Sequence, residues 1–489
     1  MPSDTIAPQP AGQPPGIRGG RIQAEAAVDA HRPFAPEPRT KPAGYIETLR
    51  HLYSNPINLL TEEHYKRDFI RNRKFGLSAV FLNDPGLVRH VFVDNPGNYS
   101  IDPIRKLLLF RNFGKGMATV DGEEWRLSRS TATPHFTRAY LADYADDISR
   151  IVAHSLETTE PGRAFDLFDL ISRITFESAM KCFFSAAKDS SFLPIMKSNT
   201  VYMEQNLALD LMDLWRAPYF VPRILKRSAA SHGRFMRRRM AAMFDRRSIG
   251  GCPAGHARSD LLDSLVGYSN ACGGTRKGKK WALDNMGTML GASFDTTGQS
   301  VSWTIRFLSQ SPESLRRVRA EIDAGRHDGK PPHRWGSVLP YTLAAFREAL
   351  RIYPVIPAFS RIALGEDTIG SHKIGKGEFV VANIWAMHRN RRIWDQADAF
   401  IPDRFMPGGE AAENSGWYMP FGTGRRTCIG RQYAEIEAVI ILAILLRRYD
   451  FAPADEEQAK PVWRGTLRCE SPMHFVVRER QTSGSREKR

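Results

Sequence analysis

Apolar residues along most of the chain recur at helical spacing. "ADYADDISRIVAHSLETT" and "LFDLISRITFESAMKCFF" each place an apolar stripe on one face. "WALDNMGTMLGASFDTTGQSVSWTIRFLSQ" predicts one long helix beyond Trp281, ended by "SPES". "SLRRVRAEIDAG" and "TLAAFREALRIYP" follow, the second stopped by Pro354. "DPGLVRHVFVDNP" predicts a short helix, because Asp84 can cap it, Pro85 suits its first turn, and Val88, Val91 and Phe92 share a face. "DGEEWRLSRSTATPHF" starts another behind an Asp-Gly turn. Strand-like alternation is confined to short stretches. These are "LSAVFLN" and the patch "SRIALGEDTIGSHKIGKGEFVVANIWAMHR", with glycines where hairpins turn. There is no internal repeat. The pattern predicts a mainly α (α+β) chain: one large helical domain over residues 43–478 with a small β-rich region.

Outside that span the pattern stops. Residues 1–42 are proline-rich and poor in large apolar side chains, so they cannot offset their ordering entropy by burial and are expected to be disordered. Residues 479–489 form a basic, solvated tail. The N-terminal stretch has no apolar core and is expected to be neither a secretory signal nor a membrane anchor. The longest apolar run, "AVIILAILL" from Ala438 to Leu446, is too short to span a bilayer, which excludes a membrane span.

The composition is globular, 42% hydrophobic and 25% charged over 489 residues. Five scattered cysteines, an odd number, do not form a disulfide framework, which favours a reducing, cytoplasmic setting. The net charge of +16 is spread along the whole chain. It therefore favours an acidic protein partner or plain solubility over nucleic acid. Cys252, His256 and Cys272 lie in the glycine-rich stretches "SIGGCPAGHARSD" and "YSNACGGTRKGKK". Their spacing fits no regular zinc pattern and lacks a fourth ligand, so these stretches read as surface loops.

The one conspicuous thiol is Cys428, in "FGTGRRTCIG". Buried apolar side chain, half a disulfide, nucleophile and metal ligand all remain open from its type alone. Arg425, Arg426 and the N-terminus of the following apolar helix favour a thiolate, and the glycines admit backbone N–H groups close to sulfur. With Phe421, Gly424, Arg426, Cys428 and Gly430 in place, the decapeptide resembles the cysteine-ligand loop of the cytochrome P450 superfamily. The resemblance extends over about residues 45–475. "EALR" (Glu348, Arg351) and "FIPDRF" (with Arg404) resemble the family's buried ion network. "GASFDTT" resembles its oxygen-activating motif, with Ser293 where the family has glycine.

The resemblance implies the P450 fold, with haem b (iron protoporphyrin IX) between the long helix and the cysteine-loop helix. Cys428 would be the axial ligand of the iron. Trp125 and Arg129 of "WRLSR", with Arg426 and Arg361, would hold the propionates, and Phe421 and Gly430 would complete the loop. Thr296 would hydrogen-bond dioxygen at the haem, and Asp295 would relay protons. The implied activity is insertion of one atom of O2 into a hydrophobic organic substrate, terpenoid- or fatty-acid-like. Its electrons would come from a separate ferredoxin or flavodoxin with its reductase. Arg425, Arg431, Arg447 and Arg448 are candidates to receive that donor. Two rivals are a peroxide-using or isomerising haem-thiolate enzyme and a non-catalytic haem sensor, and neither needs the Asp295–Thr296 pair. "SIDPIRKLLLFRNFGKGM", "NLALDLMDLWRAPYFVPRIL", "PVIPAFS" and "GTLRCE" are the segments expected to meet substrate. Arg105 or Lys106 is a candidate for a substrate carboxylate, against a simpler reading as a solvated charge.

Overall fold

A computed structural model describes residues 30–157, 159–186, 192–207, 211–215, 227–251, 258–411, 416–455 and 458–480. Its long helices are α1 (Tyr45–Ser54), α2 (Pro103–Phe113), α3 (Gly122–Ala132), α4 (Arg138–Glu157), α5 (Leu167–Phe184), α6 (Phe192–Leu207), α7 (Arg227–Gly250), α8 (Leu261–Ala271), α9 (Arg276–Ser309), α10 (Pro312–Asp323), α11 (Pro340–Ile352) and α12 (Arg431–Arg448). The strands are β1 (Phe69–Lys74), β2 (Leu77–Leu82), β3 (Tyr99–Ile101), β4 (Ala164–Asp166), β5 (Phe359–Ala363), β6 (Asp367–Ile369), β7 (His372–Ile374), β8 (Phe379–Ala382), β9 (Tyr449–Pro453), β10 (Pro461–Arg464), β11 (Thr466–Cys469) and β12 (His474–Glu479). The largest sheet has the order β1-β2-β8-β5-β3, in which β2 and β8 run parallel and the other neighbours antiparallel.

The 34-residue α9 forms the axis of the helical part. It begins at Arg276, ahead of the start its apolar pattern predicts. The Thr275 side chain accepts the Gly278 N–H at 3.2 Å and so caps a polar first turn. Most of α9 is buried on all sides, which is why its apolar spacing is interrupted by packed serines, threonines and glycines. Phe294 stands edge-on to Phe176 of α5 at 5.3 Å, and Trp303 edge-on to Tyr353 after α11 at 4.6 Å.

Behind α9 lies a buried ion network. Arg351 donates to both Glu348 oxygens at 2.7 and 2.8 Å, and Arg404 Nε reaches Glu348 Oε1 at 3.2 Å. All three side chains are fully buried. Arg351 also donates to the carbonyls of His388 (2.8 Å) and Ala397 (2.7 Å), so its donors are satisfied without water.

The ordered part extends further than the composition predicts. Residues 30–42 are not a free tail: Arg39 exchanges backbone bonds with Leu60 and Glu62, both at 3.0 Å, and Phe400 donates to the His31 carbonyl at 2.9 Å. The Tyr353 hydroxyl donates to the Phe34 carbonyl. Backbone pairing with distant segments, rather than apolar burial alone, holds this stretch. At the other end β12 runs to Glu479, and Arg480 donates its N–H to the Arg448 carbonyl at 2.8 Å. The remainder of both expected tails lies outside the described residues, as do Cys252, His256 and residues 208–210 and 216–225 of the expected substrate segment "NLALDLMDLWRAPYFVPRIL". No helix among the described residues is long and apolar enough to cross a membrane.

Candidate functional site

The cysteine loop is shaped by two glycines. Gly422 and Gly424 both have φ of +72°, and a Cβ at 424 would collide with the Phe92 carbonyl oxygen. The chain then turns so that the Cys428 N–H donates to the Phe421 carbonyl at 2.9 Å, and Gly430 opens α12. The free thiol of Cys428 opens onto an interior cavity. Burial pushes this thiol above its ordinary range, while the Gly430 N–H and the Arg129 charge oppose that rise. The expected cationic neighbours, Arg425 and Arg426, are not the ones acting. Arg425 is exposed outside the loop, and Arg426 turns away to donate to the Val120 carbonyl and to Asp121 at 2.7 Å. Arg129 instead donates to the Thr427 carbonyl at 3.0 Å.

The cavity has a volume of about 1400 Å³. Cys428, Phe421, Gly430, Trp125, Arg129, Arg361 and Arg426 line it from below, and Ala292, Ser293, Thr296 and Thr297 from the α9 side. Leu108, Phe113, Met203, Leu207, Leu214 and Met289 provide apolar walls. Arg426 lies over the Trp125 ring at 4.9 Å and Arg361 over the Phe92 ring at 4.7 Å.

A feature missed by sequence reasoning is the place of Arg105. It lines the same cavity and repels both Arg361 and Arg426. Burial, with that repulsion added, pushes Arg361 down to about 9. The carboxylates beside this cluster are Asp102 and Asp121. Asp102 caps α2 by accepting the Arg105 N–H at 2.7 Å and also accepts the Ser360 hydroxyl, and Asp121 is shared by Arg426 and Ser100. Four guanidinium groups against two carboxylates leave two positive charges unmatched, the number that the two propionates of haem would balance. The donor set thus fits the group. Arg105 is accounted for within it, and Lys106 is exposed.

On α9 the structure separates the two expected catalytic residues. The Thr296 hydroxyl faces the cavity and donates to the Ala292 carbonyl at 2.7 Å. Asp295 points elsewhere: it is 1% exposed and accepts from Thr466 at 2.8 Å and from Arg468 Nη2 at 3.3 Å, both on β11. Arg468 also pairs with Glu204 of α6. Ser293, on the wall, donates to the Leu290 carbonyl at 3.1 Å, so its hydroxyl is satisfied within its own helix.

A second residue was missed. Glu437 of α12 is fully buried, with hydroxyls of Tyr433, Thr297 and Ser178 around it, and burial pushes its carboxyl up to about 8. It is therefore mostly neutral at pH 7. Its position one turn beyond Tyr433 was readable, but an acid within an apolar helix gives no indication of which side it faces.

On the outer face the expected donor-docking arginines are divided. Arg431 lies 3.7 Å from Glu435, Arg447 2.7 Å from Asp328, and Arg448 3.5 Å from Glu479. Arg425 and Arg431 border the cysteine loop, while Arg447 and Arg448 end α12 at its far side.

The sequence profile of the Cytochrome P450 family matches residues 51–475. The chain is 26% identical to protein LUTEIN DEFICIENT 5, chloroplastic, of Arabidopsis thaliana over 397 residues, spanning 76% of this chain and 65% of that protein. It is 27% identical to the steroid 17-alpha-hydroxylase/17,20 lyase of Pan troglodytes over 403 residues (78% and 79%), and 26% identical to cytochrome P450 4A12B of Mus musculus over 388 residues (75% of each). The crystal structure of the cytochrome P450DA heme domain shares the fold, with a TM-score of 0.75 over 92% of this chain and 99% of that one at 22% identity. With its cysteine loop, its cation cluster and its long helix in one cavity, the chain belongs to the cytochrome P450 family, the haem b-dependent, haem-thiolate monooxygenases.

Proposed function

We propose that the chain oxygenates a bulky, predominantly apolar molecule, terpenoid- or fatty-acid-like, with electrons from a separate ferredoxin or flavodoxin and its reductase, in the cytoplasm. The observation that carries this reading is one cavity with a thiol and a cation cluster at its base and leucine, phenylalanine and methionine walls above. Haem, when bound, supplies dioxygen binding and oxidising power. Cys428 would hold its iron as thiolate, and Arg105, Arg129, Arg361, Arg426 and Trp125 would hold its propionates. The apolar walls exclude water and orient the substrate by shape.

Thr296 Oγ1 would accept a hydrogen bond at the cavity face through its free lone pairs, and would hand on a proton by releasing its own hydrogen from the Ala292 carbonyl and taking up another. Asp295 is one residue away on the helix. It can resupply that proton only when it leaves Arg468 and Thr466. Replacing Thr296 with alanine should divert reducing equivalents into peroxide and lower product formation. Unchanged coupling of electron use to product would refute this role.

For the donor, Arg425 and Arg431 border the loop on its outer face and suit an acidic surface. An Arg425→Glu/Arg431→Glu variant should be reduced more slowly by ferredoxin or flavodoxin, and the deficit should shrink as salt rises. Equal reduction rates at low salt would remove this docking site. Titrating the ferric holoenzyme with terpenoids and fatty acids, and following the optical spin-state change, tests the substrate class. Binding confined to small polar compounds would overturn it.

A further inference from the structure

We propose that Asp284 is a positioning residue for the cofactor: through one stretch of backbone it sets where Arg426 points. The inference rests on the assignment of Arg426 to a propionate made above. Asp284 is on α9, 1% exposed, and makes no contact with the cavity itself. Its Oδ2 accepts the Lys115 N–H and Lys280 Nζ, both at 2.9 Å, and its Oδ1 accepts Arg237 Nη2 of α7 at 2.6 Å. Beside it Asn285 Oδ1 accepts the Met117 N–H at 3.1 Å. Both bonds fasten the chain that leads from α2 to α3.

The fit leaves no slack. Gly114 has φ of +53°, and a Cβ there would run into the Asp284 carboxylate. A Cβ at Gly116 would strike Thr288 and the Asp284 carbonyl. Thr119 donates to the Gly114 carbonyl at 2.6 Å and closes the turn on itself. The far end of this short rigid piece carries the acceptors for Arg426: the Met117 carbonyl at 3.5 Å, the Val120 carbonyl, and the Asp121 carboxylate at 2.7 Å. One end of the loop is bound to a buried carboxylate, and the other holds the Arg426 guanidinium at the cavity lining. A buried carboxylate with three donors is a stiff anchor, since each donor would otherwise lose a charge-assisted bond.

The test uses the holoenzyme and measures haem transfer to excess apomyoglobin, a readout independent of turnover. Four variants are compared with the natural chain: Asp284→Asn, Asn285→Ala, Arg426→Gln, and Asp284→Asn combined with Arg426→Gln. Arg426→Gln should speed haem loss by about tenfold or more, as expected for one lost charge-assisted bond. Asp284→Asn should speed it in the same direction, and Asn285→Ala by less. The double variant should be no faster than Arg426→Gln alone, because the two residues act in series. If Arg426→Gln leaves haem loss unchanged, the propionate assignment fails. If Arg426→Gln speeds it but Asp284→Asn does not, or if the two effects multiply, the role of Asp284 is overturned. Should Asp284→Asn fail to fold, Asn285→Ala with and without Arg426→Gln decides by the same rule.

Discussion

The base of the cavity and its walls are built on different principles. The base is charged and over-determined: Cys428 is held by two left-handed glycines and a backbone bond, and Glu348 by two arginines behind it. The walls are apolar and held by shape, with Leu108, Met203, Leu207 and Met289 contributing methyl and thioether groups. Directional bonds fix one geometry, while dispersion contacts tolerate several. A protein of this kind can therefore change what it binds without changing how it holds its cofactor.

The largest expected effect is at the base. Cys428→Ser should abolish the red-shifted Soret band of the ferrous carbonyl form, since oxygen replaces the sulfur ligand. A retained thiolate-type band would mean that another residue ligates iron. Arg404→Ala takes one of the two arginines from the buried Glu348 and removes the partner of Glu410. It should destabilise the fold by about 3–5 kcal/mol in denaturant titration. A loss below about 1 kcal/mol would show that the network is not needed for stability.

Glu437 bonds to Tyr433 and Thr297 of the cavity lining, and its effect depends on pH. Its native carboxyl is pushed up to about 8 from an ordinary 4.5, so the folded state holds a proton that the unfolded chain has released. Its stabilising contribution is complete below the unfolded value and is lost as pH rises from 4.5 toward 8. Against Glu437→Gln, the natural chain should lose stability over that window with a slope of at most about 1.4 kcal/mol per pH unit. Parallel curves would mean that the carboxyl is ionised throughout. The smallest effect on the cofactor should come from the walls. Leu207→Ala should change which ligands shift the spin state and by how much they bind, by about tenfold at most, and leave the carbonyl spectrum intact. A changed carbonyl spectrum would break the separation of base from walls.

What the sequence made legible follows the same division. The cysteine loop and the Glu348–Arg351 pair are local in sequence, so fixed spacing carries them; the pair forms as expected, while the cation beside the thiol is Arg129 rather than Arg425 or Arg426. The direction Asp295 faces depends on Arg468, 173 residues away, and no local pattern encodes such a partner. Arg105 was ambiguous because its role depends on Arg361 and Arg426 arriving from elsewhere in the chain. The wall leucines looked like any core leucines, because burial against substrate and burial against protein demand the same chemistry. Residues 30–42 were misread because their hydrogen-bond partners, at 60, 62, 353 and 400, are distant.

The order of these parts along the chain has a consequence for biogenesis. Arg105, Trp125 and Arg129 leave the ribosome first, Arg361 much later, and Arg426 and Cys428 last. No nascent chain that stops short of Cys428 contains the thiol proposed to hold the iron. Attachment through that sulfur would therefore follow synthesis of every arginine in the cluster. Until then the early arginines are present without the thiol that would complete the site.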